Sequence, residues 1–154
     1  MIFATRIAET TNFNDSKIVA EVIGAVLLEQ GGVKPSNAIP AQYSYGEKKI
    51  YLYEVSLPLC MKRGILAHEL GHAHHHWYQE NRWCWEGWCK AWERLVEQGV
   101  LDGYAAKKPQ EGWAEIYRLS LGCYFDPKVG GTKGDWQYDS VKVSRALQEW
   151  RAWL

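Results

Sequence analysis

The sequence has no excess charge of either sign. Its 154 residues include 18 Lys and Arg and 18 Asp and Glu, so the formal net charge is zero. Proteins that bind nucleic acid depend on a basic surface that neutralises phosphates. No long run of like charge supplies such a surface locally. We therefore expect no nucleic-acid partner.

The sequence also lacks long apolar runs and an export signal. The longest apolar stretch, Val22 to Leu28, has seven residues, whereas a membrane-spanning helix needs about 20. The first residues contain no basic segment followed by an apolar core and a small-residue cleavage site. We expect a cytoplasmic protein without a membrane partner. Delivery from the cytoplasm to another compartment or cell is an alternative that the sequence leaves open.

Cysteine is scarce, with four residues at irregular spacing: Cys60, Cys84, Cys89 and Cys123. In a chain without an export signal, such cysteines are expected to be free and structural. Cys84 and Cys89 could bind zinc, but one Cys-x₄-Cys pair without a second pair is a weak metal motif. Core packing is the expected use of both.

The apolar periodicity predicts a mainly helical α+β domain that spans residues 1–154. Helices are expected at about 14–31, 60–80, 83–98, 109–121 and 139–154, and a β-hairpin at 42–45 and 50–55. A chain of this length can bury roughly 68–70% of its unfolded surface, which is enough for one self-sufficient core. The five tryptophans between residues 77 and 92 are expected to pack in that core and between helices.

All five histidines lie between residues 68 and 76, and two of them belong to a hydrolase motif. His68-Glu69-Leu70-Gly71-His72 is an H-E-x-x-H sequence inside a predicted helix. Residues four apart lie on one helix face, about 6 Å apart, so both imidazoles can bind one Zn²⁺. Glu69 lies beside that face and can act as the general base on a water that the metal activates.

A catalytic zinc needs a third protein ligand and an open position for water. His76 lies about 12 Å along the helix axis from His68, too far to share its metal, and His75 fails for a similar reason. The three-histidine pattern H-E-x-x-H-x-x-G-x-x-H is absent, since His75 and Tyr78 replace its glycine and third histidine. We interpret His74, His75 and His76 as a solvated patch with adventitious metal affinity, in preference to a rim of the cleft.

The remaining candidates for the third ligand are carboxylates on the helix predicted after Pro109. Glu111 and Glu115 share one face, so Glu111 could bind the metal while Glu115 accepts the free ring N–H of a ligating histidine. Ala114 would let the two helices approach closely. An acidic residue in a first helical turn is also stabilised by the helix dipole without any metal. From these residues alone, both interpretations of Glu111 stay open.

The two motifs together resemble the catalytic domain of the anthrax lethal factor-like zinc metalloproteases, which include Pro-Pro endopeptidases. That family pairs H-E-F-G-H-A with E-F-F-A-E-A-F-R-L, and the second motif agrees here at Glu111, Ala114, Glu115, Arg118 and Leu119. The resemblance covers roughly the C-terminal two-thirds of the chain. Leu70 and Gly112 replace aromatic residues of the family, and the segment 83–88 has no counterpart in it.

The resemblance implies a zincin-like, gluzincin-type fold with an active-site helix and a zinc cofactor. It implies that His68, His72 and Glu111 bind the zinc, that Glu69 is the general base and that Glu115 supports the site. Tyr104 lies seven residues before Glu111, which is the offset of the tyrosine that stabilises the oxyanion in the family. The alternative for Tyr104 is an ordinary tyrosine of a surface loop.

These observations predict a zinc-dependent metalloendopeptidase that acts on a peptide or protein substrate. The peptide is expected to add as an extended strand at the hairpin edge near Ile50 to Val55. One alternative is a narrow-specificity regulatory protease that cleaves a single partner or repressor. Another is a non-catalytic zinc-binding structural module in which Cys84, Cys89 or a further histidine completes the metal site.

Overall fold

Four helices and a small antiparallel sheet make up the described part of the chain, which comprises residues 3–5, 41–52, 59–124 and 136–154 of a computed structural model. The mainly helical α+β class predicted from the sequence is therefore confirmed at this level. The helix predicted at about 14–31 lies outside the described residues.

The sheet has three short strands, β1 (Phe3–Thr5), β2 (Ala41–Ser44) and β3 (Lys49–Leu52). The strand order is β1-β3-β2, and β3 pairs antiparallel with both neighbours. The predicted hairpin is present as β2 and β3, while residues 53–55 of its second strand lie outside the described part. Because Ile50 to Leu52 are paired on both sides, the prediction that a peptide adds to this strand is wrong for these residues.

The four helices are α1 (Leu59–Asn81), α2 (Trp85–Glu97), α3 (Pro109–Ser120) and α4 (Ser140–Arg151). Short 3₁₀ turns span Gly103–Ala106 and Trp136–Tyr138. These four helices begin and end within three residues of the predicted positions, because local features set the boundaries. Pro109 begins α3, where its missing N–H has no intrahelical partner, and the Asp139 carboxylate caps α4 by accepting from the backbone N–H groups of Val141 and Lys142.

Helix α3 runs through the core, and all residues from Glu111 to Leu119 are buried. Trp113 is completely buried, and its ring contacts aromatic rings of α1, α2 and α4. Trp88 is also fully buried, as predicted, and the core-facing tryptophans include Trp77, Trp85 and Trp92. Trp83 is fully exposed, so the core prediction is wrong for this residue. It lies in the bend between α1 and α2, where none of the four described helices covers it.

Helices α1 and α3 meet at Gly71 with almost no space between their backbones. A Cβ atom built on Gly71 would lie 2.6 Å from Ala114 Cα and 2.8 Å from its carbonyl oxygen. The close approach expected from Ala114 is therefore present. A second close contact explains Gly112, because a Cβ there would lie 2.5 Å from the Trp92 ring.

No helix among the described residues is both long enough and apolar enough to cross a membrane.

Replacement of Gly71 by Ala tests the close contact between α1 and α3. Intrinsic helix propensity alone predicts a gain of up to about 1 kcal/mol in stability. The steric conflict with the Ala114 backbone instead predicts a loss of about 1–3 kcal/mol, because one of the helices must move. The free energy of unfolding in denaturant measures the difference.

Gly46→Ala, in the hairpin turn, is the control for a glycine with free space, since no atom of the described residues lies within 4 Å of a Cβ at that position. We expect a change within about 0.5 kcal/mol for this variant. A Gly71→Ala protein as stable as wild type would contradict the described packing.

Candidate metal centre

Three side chains from two helices converge on one point. His68 and His72 project from α1, one turn apart, and Glu111 projects from the first turn of α3. Glu111 Oε2 lies 3.0 Å from His68 Nε2 and 3.1 Å from His72 Nε2. Each residue offers one potential ligand atom, and these three atoms all lie within 4.8 Å of one another. The structure thus brings together the three residues that the sequence predicted as metal ligands.

The spacing and chemistry of these atoms fit a zinc ion. Ligand atoms of a tetrahedral zinc site with bonds of about 2.0–2.1 Å lie about 3.3 Å apart. Glu111 Oε2 is fully buried, yet no donor is aligned with it as a hydrogen bond despite the two short contacts. A buried acceptor without an aligned donor is costly, and a cation between the three atoms would remove that cost. Two imidazoles and one carboxylate form a donor set typical of catalytic zinc.

The charges of the three groups are strongly coupled. Burial lowers the pKa of His68, but the close carboxylates of Glu111 and Glu115 outweigh it and raise the pKa to about 9. Burial raises the pKa of Glu111, but its contacts with His68 and His72 outweigh this and hold the pKa well below its usual range. In the absence of a metal, a proton on His68 therefore balances the Glu111 carboxylate. A metal ion would therefore compete with this proton for the His68 ring.

Glu69 lies next to the ligand group without belonging to it. Its Oε2 accepts a hydrogen bond from the backbone N–H of Tyr43 in β2, at 2.8 Å. Burial raises the pKa of Glu69. The charges of His68 and His72 act in the opposite direction, but the pKa stays above its usual value. The Glu69 carboxylate thus lies between α1, which carries it, and β2.

Glu115 faces the other ring nitrogen of His68, in the place predicted for a supporting residue. Its Oε2 lies 3.7 Å from His68 Nδ1, slightly beyond hydrogen-bonding distance. The same oxygen accepts from Nε of the buried Arg118, whose other donors bind the Cys123 carbonyl and the Gln137 side chain. Burial raises the pKa of Glu115, but His68 and Arg118 outweigh it and lower the pKa. Glu115 is therefore ionised and fixed in orientation.

His72 also has a partner behind it, which the sequence interpretation missed. Its Nδ1 lies 3.0 Å from His75 Nε2 and 3.3 Å from the Tyr45 hydroxyl. His75 is completely buried, and burial lowers its pKa to about 3, so its ring is neutral. Residues three apart are neighbours on a helix, so the spacing of His75 from His72 could have indicated this contact.

The interpretation of the remaining histidines as a solvated patch is wrong. His74 is buried among Trp77, Trp113, Tyr117 and Trp150. Its Nδ1 accepts from the Trp113 indole N–H at 2.8 Å, and burial lowers its pKa to about 3.

His76 is partly buried and joins the hairpin to α1. Its Nδ1 lies 2.9 Å from the Tyr43 hydroxyl, and its Nε2 lies 3.1 Å from Glu80. None of the three histidines after His72 belongs to the ligand group. Consecutive histidines point in three directions around the helix, and each meets a different part of the fold.

Tyr104 lies in the 3₁₀ turn that precedes α3, beside the ligand group. Its ring centroid is 5.5 Å from that of His68, and 48% of its surface is exposed. Burial, followed by the charges of Glu111, Glu69 and Glu115, raises the pKa of its phenol. The backbone of this turn is held by Trp92, whose indole N–H donates to the Ala105 carbonyl at 2.9 Å. Tyr104 thus carries a protonated, partly exposed phenol beside His68.

Cysteine takes no part in the ligand group. Within the described residues, His68, His72 and Glu111 are the one set of three potential ligands that converges. Cys84 is exposed, Cys89 is partly buried, and both are free thiols. Because neither cysteine belongs to the converging group, the structure gives little support to a structural zinc module closed by Cys84 or Cys89.

Comparison with protein-family models, with curated proteins and with solved structures finds no match for this chain. The resemblance to lethal factor-like metalloproteases therefore remains a prediction from the two motifs.

Replacement of Glu111 by Ala separates metal binding from stabilisation by the helix dipole. We expect the zinc content after dialysis, measured by inductively coupled plasma mass spectrometry, to fall from about one ion per chain to a small fraction. Two histidines alone leave the ion without its third protein ligand.

Glu86→Ala is the matched control, because Glu86 is an exposed acidic residue in the first turn of α2. Both variants lose a comparable interaction with a helix dipole. Zinc content unchanged in Glu111→Ala would show that the third ligand is another residue.

Proposed function

We propose that this protein is a zinc-dependent metalloendopeptidase with a zincin-like fold. The supporting observation is the convergence of His68, His72 and Glu111 from two helices, with the Glu69 carboxylate beside them. Three protein ligands leave one tetrahedral position for a water or a substrate carbonyl, as in catalytic zinc sites. Zn²⁺ bound there would lower the pKa of a water to about 7 and polarise the scissile carbonyl.

Glu69 is the proton carrier of the proposed reaction. Its carboxylate takes a proton from the attacking water as the water oxygen bonds to the peptide carbonyl carbon. It then gives the proton to the leaving amine as the C–N bond breaks. Burial raises the pKa of Glu69, and a carboxylate with a raised pKa is better suited to both accept and return a proton near neutral pH.

Tyr104 is the proposed donor to the oxyanion. Its phenol stays protonated because burial and three nearby carboxylates raise its pKa. The closeness of its ring to His68 and its partial exposure support this role. A donor that contacts the developing negative charge typically contributes a factor of about 10²–10³ in rate.

The proposed place for the peptide substrate is the outer edge of β2. Tyr43 N–H in this strand points away from β3 and toward Glu69, so that edge of β2 faces the ligand group. Within the described sheet, β2 pairs on one side with β3 alone. An extended peptide added there would use main-chain hydrogen bonds for affinity. It would replace the Glu69 carboxylate as the partner of the Tyr43 N–H, which would bring the peptide backbone next to Glu69.

Replacement of Glu69 by Gln tests the proposed reaction. The amide cannot take a proton from water, so we expect cleavage to fall by a factor of about 10²–10⁴, with zinc content unchanged. A mixture of peptides from a digested proteome, analysed by mass spectrometry, measures cleavage across many peptide sequences at once.

Glu80→Gln is the matched control, since Glu80 is an exposed glutamate of the same helix that pairs with Lys48 and His76. It should cleave like the wild type. Equal cleavage by zinc-loaded Glu69→Gln and wild-type protein would refute the role of Glu69 as the general base.

A further inference from the structure

His72 is linked to His75 and then to Gln79 along one face of α1. The distance from His72 Nδ1 to His75 Nε2 is 3.0 Å, and that from His75 Nδ1 to Gln79 Oε1 is 3.1 Å. His75 is completely buried. The three side chains therefore form a continuous polar connection from the candidate metal position to the exposed side of the helix.

The chemistry of the end groups sets the direction of these hydrogen bonds. With the Gln79 amide in this orientation, its Oε1 accepts, so His75 Nδ1 carries the proton and its Nε2 presents a lone pair. At the other end, His72 Nε2 faces Glu111 and the proposed cation, so the proton of a neutral His72 is on Nδ1. His72 Nδ1–H thus donates to His75 Nε2, and His75 Nδ1–H donates to Gln79.

The His75 ring is held on both sides by aromatic residues from other elements. Trp85 of α2 lies 5.5 Å from it between ring centroids, and Tyr45 of the hairpin turn lies 5.7 Å from it. The Tyr45 hydroxyl lies 3.0 Å from His75 Nε2 and 3.3 Å from His72 Nδ1, so it contacts both atoms of this hydrogen bond. These contacts and the complete burial of His75 restrict the orientation of its ring.

We propose that His75 is a positioning residue for the metal ligand His72. By accepting the Nδ1–H of His72, it selects the tautomer and the ring orientation in which Nε2 is free to bind the metal. The proposal rests on the metal centre of the proposed function, but it does not depend on peptide cleavage.

The electrostatics of the site explain why an imidazole suits this position. His68 already faces an ionised carboxylate, Glu115, at its Nδ1. Glu69 and Glu111 add two more carboxyl groups to the same small volume. A fourth carboxylate behind His72 would increase their mutual repulsion. A neutral imidazole orients His72 without adding negative charge.

Two substitutions of His75 separate hydrogen bonding from packing. Gln places an amide oxygen close to the position of Nε2 and keeps an acceptor, whereas Leu has a similar size without one. We expect zinc to bind His75→Leu about 10–100-fold more weakly than wild type, and His75→Gln within a few-fold of wild type. Competition with a chelator of known zinc affinity, at constant pH, measures the dissociation constants.

His76→Leu is the matched control in the same histidine tract, because His76 contacts Tyr43 and Glu80 rather than His72. Its zinc affinity should equal that of wild type. If His75→Leu and His75→Gln bind zinc with the same affinity, the proposal is overturned. This holds both when the two affinities equal that of wild type and when both are weaker. Wild-type protein that fails to bind zinc would instead refute the proposed function itself.

Nuclear magnetic resonance of the ¹⁵N-histidine-labelled wild type tests the same proposal without any substitution. In the zinc-loaded protein, we expect His72 to be protonated at Nδ1, and His75 to be protonated at Nδ1 with a lone pair on Nε2. A proton on His75 Nε2 would overturn the proposal, even if the variants at position 75 failed to fold.

Discussion

The candidate site depends on the contact between the backbones of α1 and α3 at Gly71 and Ala114. A glutamate side chain is short, so Glu111 can reach both histidines only where the two helices nearly touch. Gly71 has no side chain, and Ala114 has the smallest one that a non-glycine residue can have. Any larger group at Gly71 would meet the Ala114 backbone. The helix separation, and with it the position of the third ligand, therefore follows from these two residues.

A second requirement is that the buried polar groups of the site hold one another in place. Glu115 is fixed by Arg118, which also binds the backbone near the end of α3 and the side chain of Gln137. Glu69 is held by the Tyr43 N–H of the sheet. Buried charges of this kind are tolerated only when they are paired and hydrogen-bonded. Helices α1 and α3 and strand β2 thus share one polar network, and the aromatic core around Trp113 encloses it from the other side.

Local features of the sequence predict the helices and the ligand group. Apolar periodicity, Pro109 and the Asp139 cap depend on residues close in the chain, so they can be recognised without a structure. His68, Glu69 and His72 form one local motif, and the shared helical face of Glu111 and Glu115 is also a local property. Their convergence still required two helices to pack in one particular way, which the small residues Gly71 and Ala114 make possible.

Features that depend on distant segments could not be predicted in this way. The central position of β3 results from its pairing with β1, which lies more than 40 residues earlier in the chain. The burial of His75 results from Trp85 and Tyr45, and that of His74 from Trp113 and Trp150. A run of three histidines looks solvated in the sequence because the residues that cover it lie elsewhere in the chain.

In the proposed site, two histidines and one glutamate bind a zinc ion that keeps one coordination position open. X-ray absorption at the zinc edge, on protein loaded with one ion per chain, tests it most directly. We expect two imidazole nitrogens and oxygen ligands at about 2.0–2.2 Å, with no sulfur. A sulfur ligand at about 2.3 Å, or four protein ligands with no exchangeable water, would contradict the claim.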